Sequence, residues 1–138
     1  HRDLHSLRRR QRQMCIRDRI GPVLIESLPQ KRLIAASPFI DEEGIKILNR
    51  LADRGVEVVL ITRESNMRKL VSQIRKFKVG FSGWPRHEKL YIIDDKIVIH
   101  TTWNLTISSK STNEFRLELN PYIAQQLKEV MLSDVRWL

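Results

Sequence analysis

The sequence predicts an α/β domain: a mixed β-sheet flanked by helices. Three observations predict it. Apolar, strand-like runs alternate with amphipathic helical stretches between residues 32 and 77, two β-branched runs are hinged at Asp94-Asp95, and a last amphipathic helix opens at Asn120-Pro121. With 138 residues and 41% hydrophobic content, the chain holds one compact domain with a real core and excludes both wholesale disorder and two full domains.

Residues 1–19 stand apart, with seven arginines, two aspartates and no apolar period, cap or turn signal. Taken at face value, Arg8 to Arg12 is a basic arm. Arg9 to Asp18, however, resembles the conceptual translation of a sequencing adapter: Cys15-Ile16-Arg17-Asp18 is what TGT ATA AGA GAC encodes, and His1 to His5 resembles a translated outer primer. The expectation is an adapter-derived, irregular segment over 1–19 and the domain over 20–138, either whole or truncated at its N-terminus. Cys15 lies in that segment, so the lone cysteine says nothing of redox compartment. No apolar run approaches the ~20 residues of a membrane span and no signal peptide is visible, which makes a cytoplasmic location the expectation.

Val23 to Leu28 is a short amphipathic stretch ended by Pro29. Arg32 to Ser37 is a continuous apolar run before Pro38 and suits a buried strand. Asp41 caps a helix with Glu42 and Glu43 in its first turn, Ile45, Leu48, Leu51 and Ala52 on one face, and Gly55 as its stop. Val56 to Thr62 is the next strand, and Met67, Leu70, Val71, Ile74 and Phe77 predict a second helix from about Asn66 to Lys76. Val79 to Phe81 reads as a short strand and Gly83-Trp84-Pro85 as a turn. His87 to Ile93 and Lys96 to His100 form a hairpin, and Phe115 to Leu119 is a strand after a polar loop. Ile123, Leu127, Val130 and Met131 then give the last helix its apolar face.

The chemistry-bearing window is Arg86 to Asp94, which contains His87-x-Lys89 and, after four residues, Asp94. Residues two apart on a strand share a face, so His87 and Lys89 point together. A histidine beside a fixed cation suits a phosphate: the lysine holds phosphoryl oxygens while a neutral imidazole attacks phosphorus or passes a proton. Thr101-Thr102-Trp103-Asn104 and Asn113-Glu114-Phe115 follow.

This set resembles the phospholipase D superfamily, whose signature is His-x-Lys-x4-Asp, then Gly-Ser-x-Asn, then an Asn/Glu element. The likeness runs from Leu33 to Leu119. It implies that His87 is the nucleophile of a phosphohistidine intermediate, that Lys89 and Asn104 bind phosphate oxygens with Thr102 retaining the usual hydroxyl, and that Glu114 orients the histidine. Asp94 matches the motif's acid and is counted with the catalytic set, although a strand end also suits a hairpin-holding role. Thr101 replaces the usual glycine. A β-branched residue does not easily adopt positive φ, so either the loop needs no such conformation or the pocket is narrowed. The resemblance implies neither metal nor other cofactor. His100 reads as structural, because nothing supplies metal-ligand partners at usable spacing. Trp103 reads as a packed loop anchor rather than a base-stacking ring, and Asp41-Glu42-Glu43 as a capped helix start.

The family's active site faces two such motifs across a two-fold axis. This chain carries one half-site, completed by a homodimer or by a missing upstream half. Without residues 1–19 the net charge falls from +9 to +4, yet Arg68 to Lys89 holds seven basic residues against Glu88. That concentration favours a nucleic-acid substrate, DNA or RNA. The expected function is therefore a metal-independent nuclease. The alternatives are a non-catalytic nucleic-acid-binding module of a larger protein such as a helicase, and a phospholipase or phosphatidyltransferase.

Overall fold

The computed structural model describes residues 20–67, 70–74, 76–82, 89–106 and 114–138. The adapter-like segment, the Gly83-Trp84-Pro85 turn, His87 and Asn113 lie outside the described residues, as do Arg68, Lys69, Arg75 and Arg86.

Helix α1 (Ile20–Ser27) precedes strand β1 (Arg32–Ala36), helix α2 (Glu42–Asp53) and strand β2 (Glu57–Thr62). Short helix α3 (Glu64–Met67) and a 3₁₀ turn (Val71–Gln73) lead to β3 (Lys78–Phe81), followed by β4 (Lys89–Ile93), β5 (Ile97–Thr101), β6 (Phe115–Leu119), α4 (Pro121–Leu132) and β7 (Arg136–Trp137). The seven strands form one sheet in the order β6-β5-β4-β1-β2-β3-β7. β1, β2 and β3 are parallel neighbours, while β4, β5, β6 and β7 join antiparallel. The predicted mixed sheet flanked by helices is what forms.

Strand alternation divides the core. Leu33, Ala35, Leu60, Tyr91, Ile93 and Ile99 face α2, whose Ile45, Leu48 and Leu51 are fully buried. Ile34, Ala36, Val59, Ile61, Ile92 and Val98 face Ala124 of α4, with Leu127 and Met131 packed at the margin. Each fully buried aliphatic side chain contributes about 1.5–3 kcal/mol, so both faces drive the same sheet. Asp41 accepts from Gly44 N at 2.9 Å and Asn120 from Ile123 N at 3.1 Å, so both predicted N-caps form. Gly55 ends α2 with φ +93°.

Two expectations change. The helix expected from about Asn66 to Lys76 is not continuous among the described residues: α3 ends at Met67, Val71–Gln73 is a 3₁₀ turn, and Ile74 is extended at ψ 128°. Buried Asn49 of α2 donates Nδ2 to Gln73 O at 2.8 Å and pins the segment in a turn. Helical pieces this short do not propagate by themselves, so that tertiary bond wins. Val130 of α4 is exposed, and Ala124 replaces it at the interface.

Candidate active site

Topology gathers the site before chemistry does. β4 runs antiparallel to β1 and β5, so its first residue lies beside their last ones: Ala36 pairs with Leu90, Lys89 with Thr101, and Thr101 with Phe115. Ser37, Lys89, Thr102 and Glu114 therefore stand along one edge of the sheet. Lys89 alternates with Tyr91 and Ile93 on the α2 side of β4.

The segment from Thr101 to Thr106 is held almost atom by atom. Trp103 N donates to Thr101 Oγ1 at 2.9 Å, Tyr91 OH donates to Trp103 O at 3.2 Å, and Trp103 Nε1 donates to Thr106 O at 2.9 Å. Burial pushes the Tyr91 phenol well above its ordinary range, so it stays a neutral donor. Trp103 is 4% exposed, with its ring 5.7 Å from Tyr91 and 6.1 Å from Phe115, and is a packed anchor. Among the described residues only Asp94 and Asp95 combine a side chain with positive φ, so Thr101 sits unstrained where a glycine is usual.

Ser37 is the second support. Fully buried after β1, its Oγ accepts from Leu105 N at 3.0 Å and lies 2.6 Å from Phe39 O and 3.3 Å from Asn104 Oδ1. It ties the β1 end to the Asn104 loop, a role sequence reasoning missed although Ser-Pro at a strand end was its signal. Thr102 and Glu114 are clasped by two bonds: Thr102 N donates to Glu114 O at 3.2 Å, and Glu114 N to Thr102 Oγ1 at 3.1 Å. Both border an open cleft of about 550 Å³ with His100, Thr101, Phe115 and Arg116. His100 lies 3.8 Å from Glu118 across the β5–β6 ladder.

Burial, and secondly the positive charge of Arg63, hold the Lys89 ammonium below the ordinary lysine range. Arg63, just past β2, is a second cation at this edge that the sequence reading did not select. It belongs to no motif and follows an unremarkable strand.

The structure does not bring Asp94 to this edge. It sits just past the far end of β4, five residues and about 16–17 Å along the strand direction from Lys89. Its carboxylate accepts from the backbone N–H groups of Gln30 (3.2 Å), Lys31 (2.7 Å) and Arg32 (3.0 Å). Partial burial pushes its carboxyl up, but these three donors and Lys96 outweigh that and hold it below 3.8. Asp94 and Asp95, with φ of 55° and 59°, form the predicted hairpin turn and anchor the start of β1. Asp94→Ala should cost about 1–3 kcal/mol, because it removes the shared acceptor of three backbone N–H groups, of which Arg32 N is part-buried, and places alanine in a left-handed conformation. Asp94→Asn should cost about half as much. Because the folded carboxyl is depressed, its contribution is present above the unfolded value and fades as pH falls through the folded one, below 3.8. Urea unfolding of these variants checks this, and Asp94→Asn should keep full activity while folded. Activity lost from a folded Asp94→Asn would return Asp94 to the chemistry.

Among the described residues no cluster of three His, Cys, Asp or Glu side chains is arranged to hold a metal ion, and no helix is long and apolar enough to cross a membrane.

Comparison with known proteins fits this arrangement. The family model described as cardiolipin synthase, PLD-like domain, matches residues 24–134. The chain belongs to the phospholipase D-like family. Among solved structures it is similar to Nuc from Salmonella typhimurium, a phospholipase D family member, at 21% identity and a TM-score of 0.65 over 85% of this chain and 87% of that one. NucT from Helicobacter pylori aligns at 16% identity and a TM-score of 0.66, over 86% and 89%. The archaeal chromatin protein TrmBL2 aligns at 11% and 0.60, over 84% of this chain and 48% of that one. At these identities the likeness shows the phospholipase D-like fold. No curated protein matches the sequence.

Proposed function

We propose that this phospholipase D-like chain is one half of a metal-independent phosphodiesterase that cleaves nucleic acid through a phosphohistidine. The observation that carries the proposal is the gathering of Lys89, Thr102, Asn104 and Glu114 at one sheet edge, where β4 begins two residues after His87.

In this reading Lys89, Asn104 and Thr102 receive the phosphate oxygens, and Glu114 orients His87 as a triad acid does. The His87 imidazole attacks phosphorus and the bond to the leaving oxygen breaks. That oxygen takes its proton from His87 of a second copy. Water then attacks the phosphohistidine, breaking the P–N bond and releasing the phosphate monoester. One imidazole cannot stand on both sides of an in-line displacement, so a second copy completes the site. Leu117, about half exposed on edge strand β6 two residues past the cleft's Phe115, offers it a surface. Nucleic acid is favoured over lipid by the basic run from Arg68 to Lys89, and TrmBL2, a chromatin protein that binds DNA, shares this fold over 48% of its length.

The test incubates the protein, in EDTA, with a labelled single-stranded oligonucleotide and separately with phosphatidylglycerol vesicles, alongside sedimentation of the free protein. Oligonucleotide cleavage by a dimer, with no lipid product on thin-layer plates, is expected. Cleavage that requires a divalent metal would sink the phosphohistidine, and a lipid product without cleavage would reassign the substrate.

A further inference from the structure

Phe39 lies on the link between β1 and α2, 49% exposed. Single exposed apolar side chains are ordinary, but three features set this one apart. Its backbone is fixed, because Phe39 O lies 2.6 Å from the Ser37 hydroxyl that also holds the Asn104–Leu105 loop, and the next residue, Ile40, bridges Leu105. Its ring is fixed, because the Arg63 guanidinium lies over it at 5.4 Å from the centroid. Its position is at the edge where β1 and β2 end and β4 begins, the edge that holds Lys89.

Stacking of bases on aromatic faces, with cations tracking the backbone, is how proteins hold single strands without reading sequence. We infer that Phe39 and Arg63 form a nucleotide-holding subsite beside the phosphate pocket, in which Phe39 stacks on a base of a single-stranded nucleic acid and Arg63 meets a neighbouring phosphate. The inference rests on the nucleic-acid reading above and adds to it the single-stranded class and the residues that select it. A duplex buries its base faces and has nothing to offer Phe39 short of unpairing. Arg63 also reaches Lys89 electrostatically, so a phosphate chain passing between them neutralises two cations that otherwise repel.

The test is binding rather than turnover. In a His87→Ala background, so that no substrate is consumed, fluorescence anisotropy measures affinity for a labelled oligothymidylate and for an abasic oligonucleotide of equal length and charge. The base-bearing strand should bind about 5- to 100-fold more tightly. Phe39→Ala should collapse that ratio to near one, and Phe39→Trp should preserve it, which separates stacking from a general effect on folding. Arg63→Gln should weaken both strands, the base-bearing one somewhat more because the Phe39 ring loses its cation, and lower the salt slope by about one. A ratio near one in the unsubstituted Phe39 protein, or a ratio that survives Phe39→Ala, overturns the subsite. Failure of cleavage alone leaves these ratios unchanged, so the two proposals fail separately.

Discussion

Lys89→Met should lower kcat/KM on an oligonucleotide by at least about 10²-fold while leaving the fold intact, and His87→Ala should reduce cleavage to background. Lys89 opens β4 at the sheet edge and is only partly buried, so methionine fits its stem along the same surface. Burial already disfavours its charge and Arg63 adds repulsion, so both of these penalties in the free protein disappear with the charge. The urea midpoint should therefore move much less than kcat/KM does. The loss belongs to the bound state, where the ammonium would meet phosphoryl oxygens as charge develops on them. The pH profile carries the same signature. A lysine held below 10.5 loses its proton at lower pH than an ordinary one, so wild-type activity should fall on the alkaline side before that value. The residual activity of Lys89→Met should lack this limb. Unchanged kcat/KM in a folded Lys89→Met would remove the lysine from the site.

Most of the scaffold was legible because its signals are local and agree with one another. Arg32 to Ser37 and Val56 to Thr62 are apolar and flanked by stops, Asp41 and Asn120 are caps followed by apolar spacing, and Asp94-Asp95 suits the left-handed turn it forms. The segment after Thr62 was misread because Leu70, Ile74 and Phe77 have helical spacing, while a bond from Asn49, on another element, decides the backbone. β7 escaped notice for a related reason: two residues carry no periodicity, and only pairing of Gly80 with Trp137 and Phe81 with Arg136 makes them a strand. The candidate site divides the same way. Lys89, Thr102, Asn104 and Glu114 stood out by motif, and strand register then brings them to one edge. Asp94 shares the motif but not the place, because the motif spans the whole of β4 and its last residue must sit at the other end. Ser37, Phe39 and Arg63 belong to no motif, and only the order β4-β1-β2 puts them beside Lys89.

Gly44→Ala should damage both stability and cleavage, although in a free helix it would be an improvement. Gly44 lies in the first turn of α2, where alanine gains about 1 kcal/mol of helix propensity. A Cβ there would stand 2.3 Å from the backbone oxygen of Leu105 and 2.7 Å from Cγ1 of Ile40. A backbone carbonyl cannot swing aside as a side-chain tip can. Either α2 lifts, loosening the Asp41 cap whose carboxylate accepts from Gly44 N, or the Leu105 segment retreats. The second route moves Asn104 and strains the Leu105 N–H bond to Ser37. Overpacking of this kind costs roughly 1–3 kcal/mol before the propensity gain is returned, so the net loss in urea unfolding should be about 0–2 kcal/mol. If Asn104 holds a phosphate oxygen as proposed, the effect on kcat/KM should be larger, at least about 10-fold, since displacement of such a group by 1 Å is costly. Gly55→Ala is the control: at φ +93° it meets nothing within 4 Å, so it should lose about 1 kcal/mol to backbone strain and leave cleavage by the folded protein unchanged. Equal losses of cleavage in the two variants would mean that α2 does not set the position of the Asn104 loop.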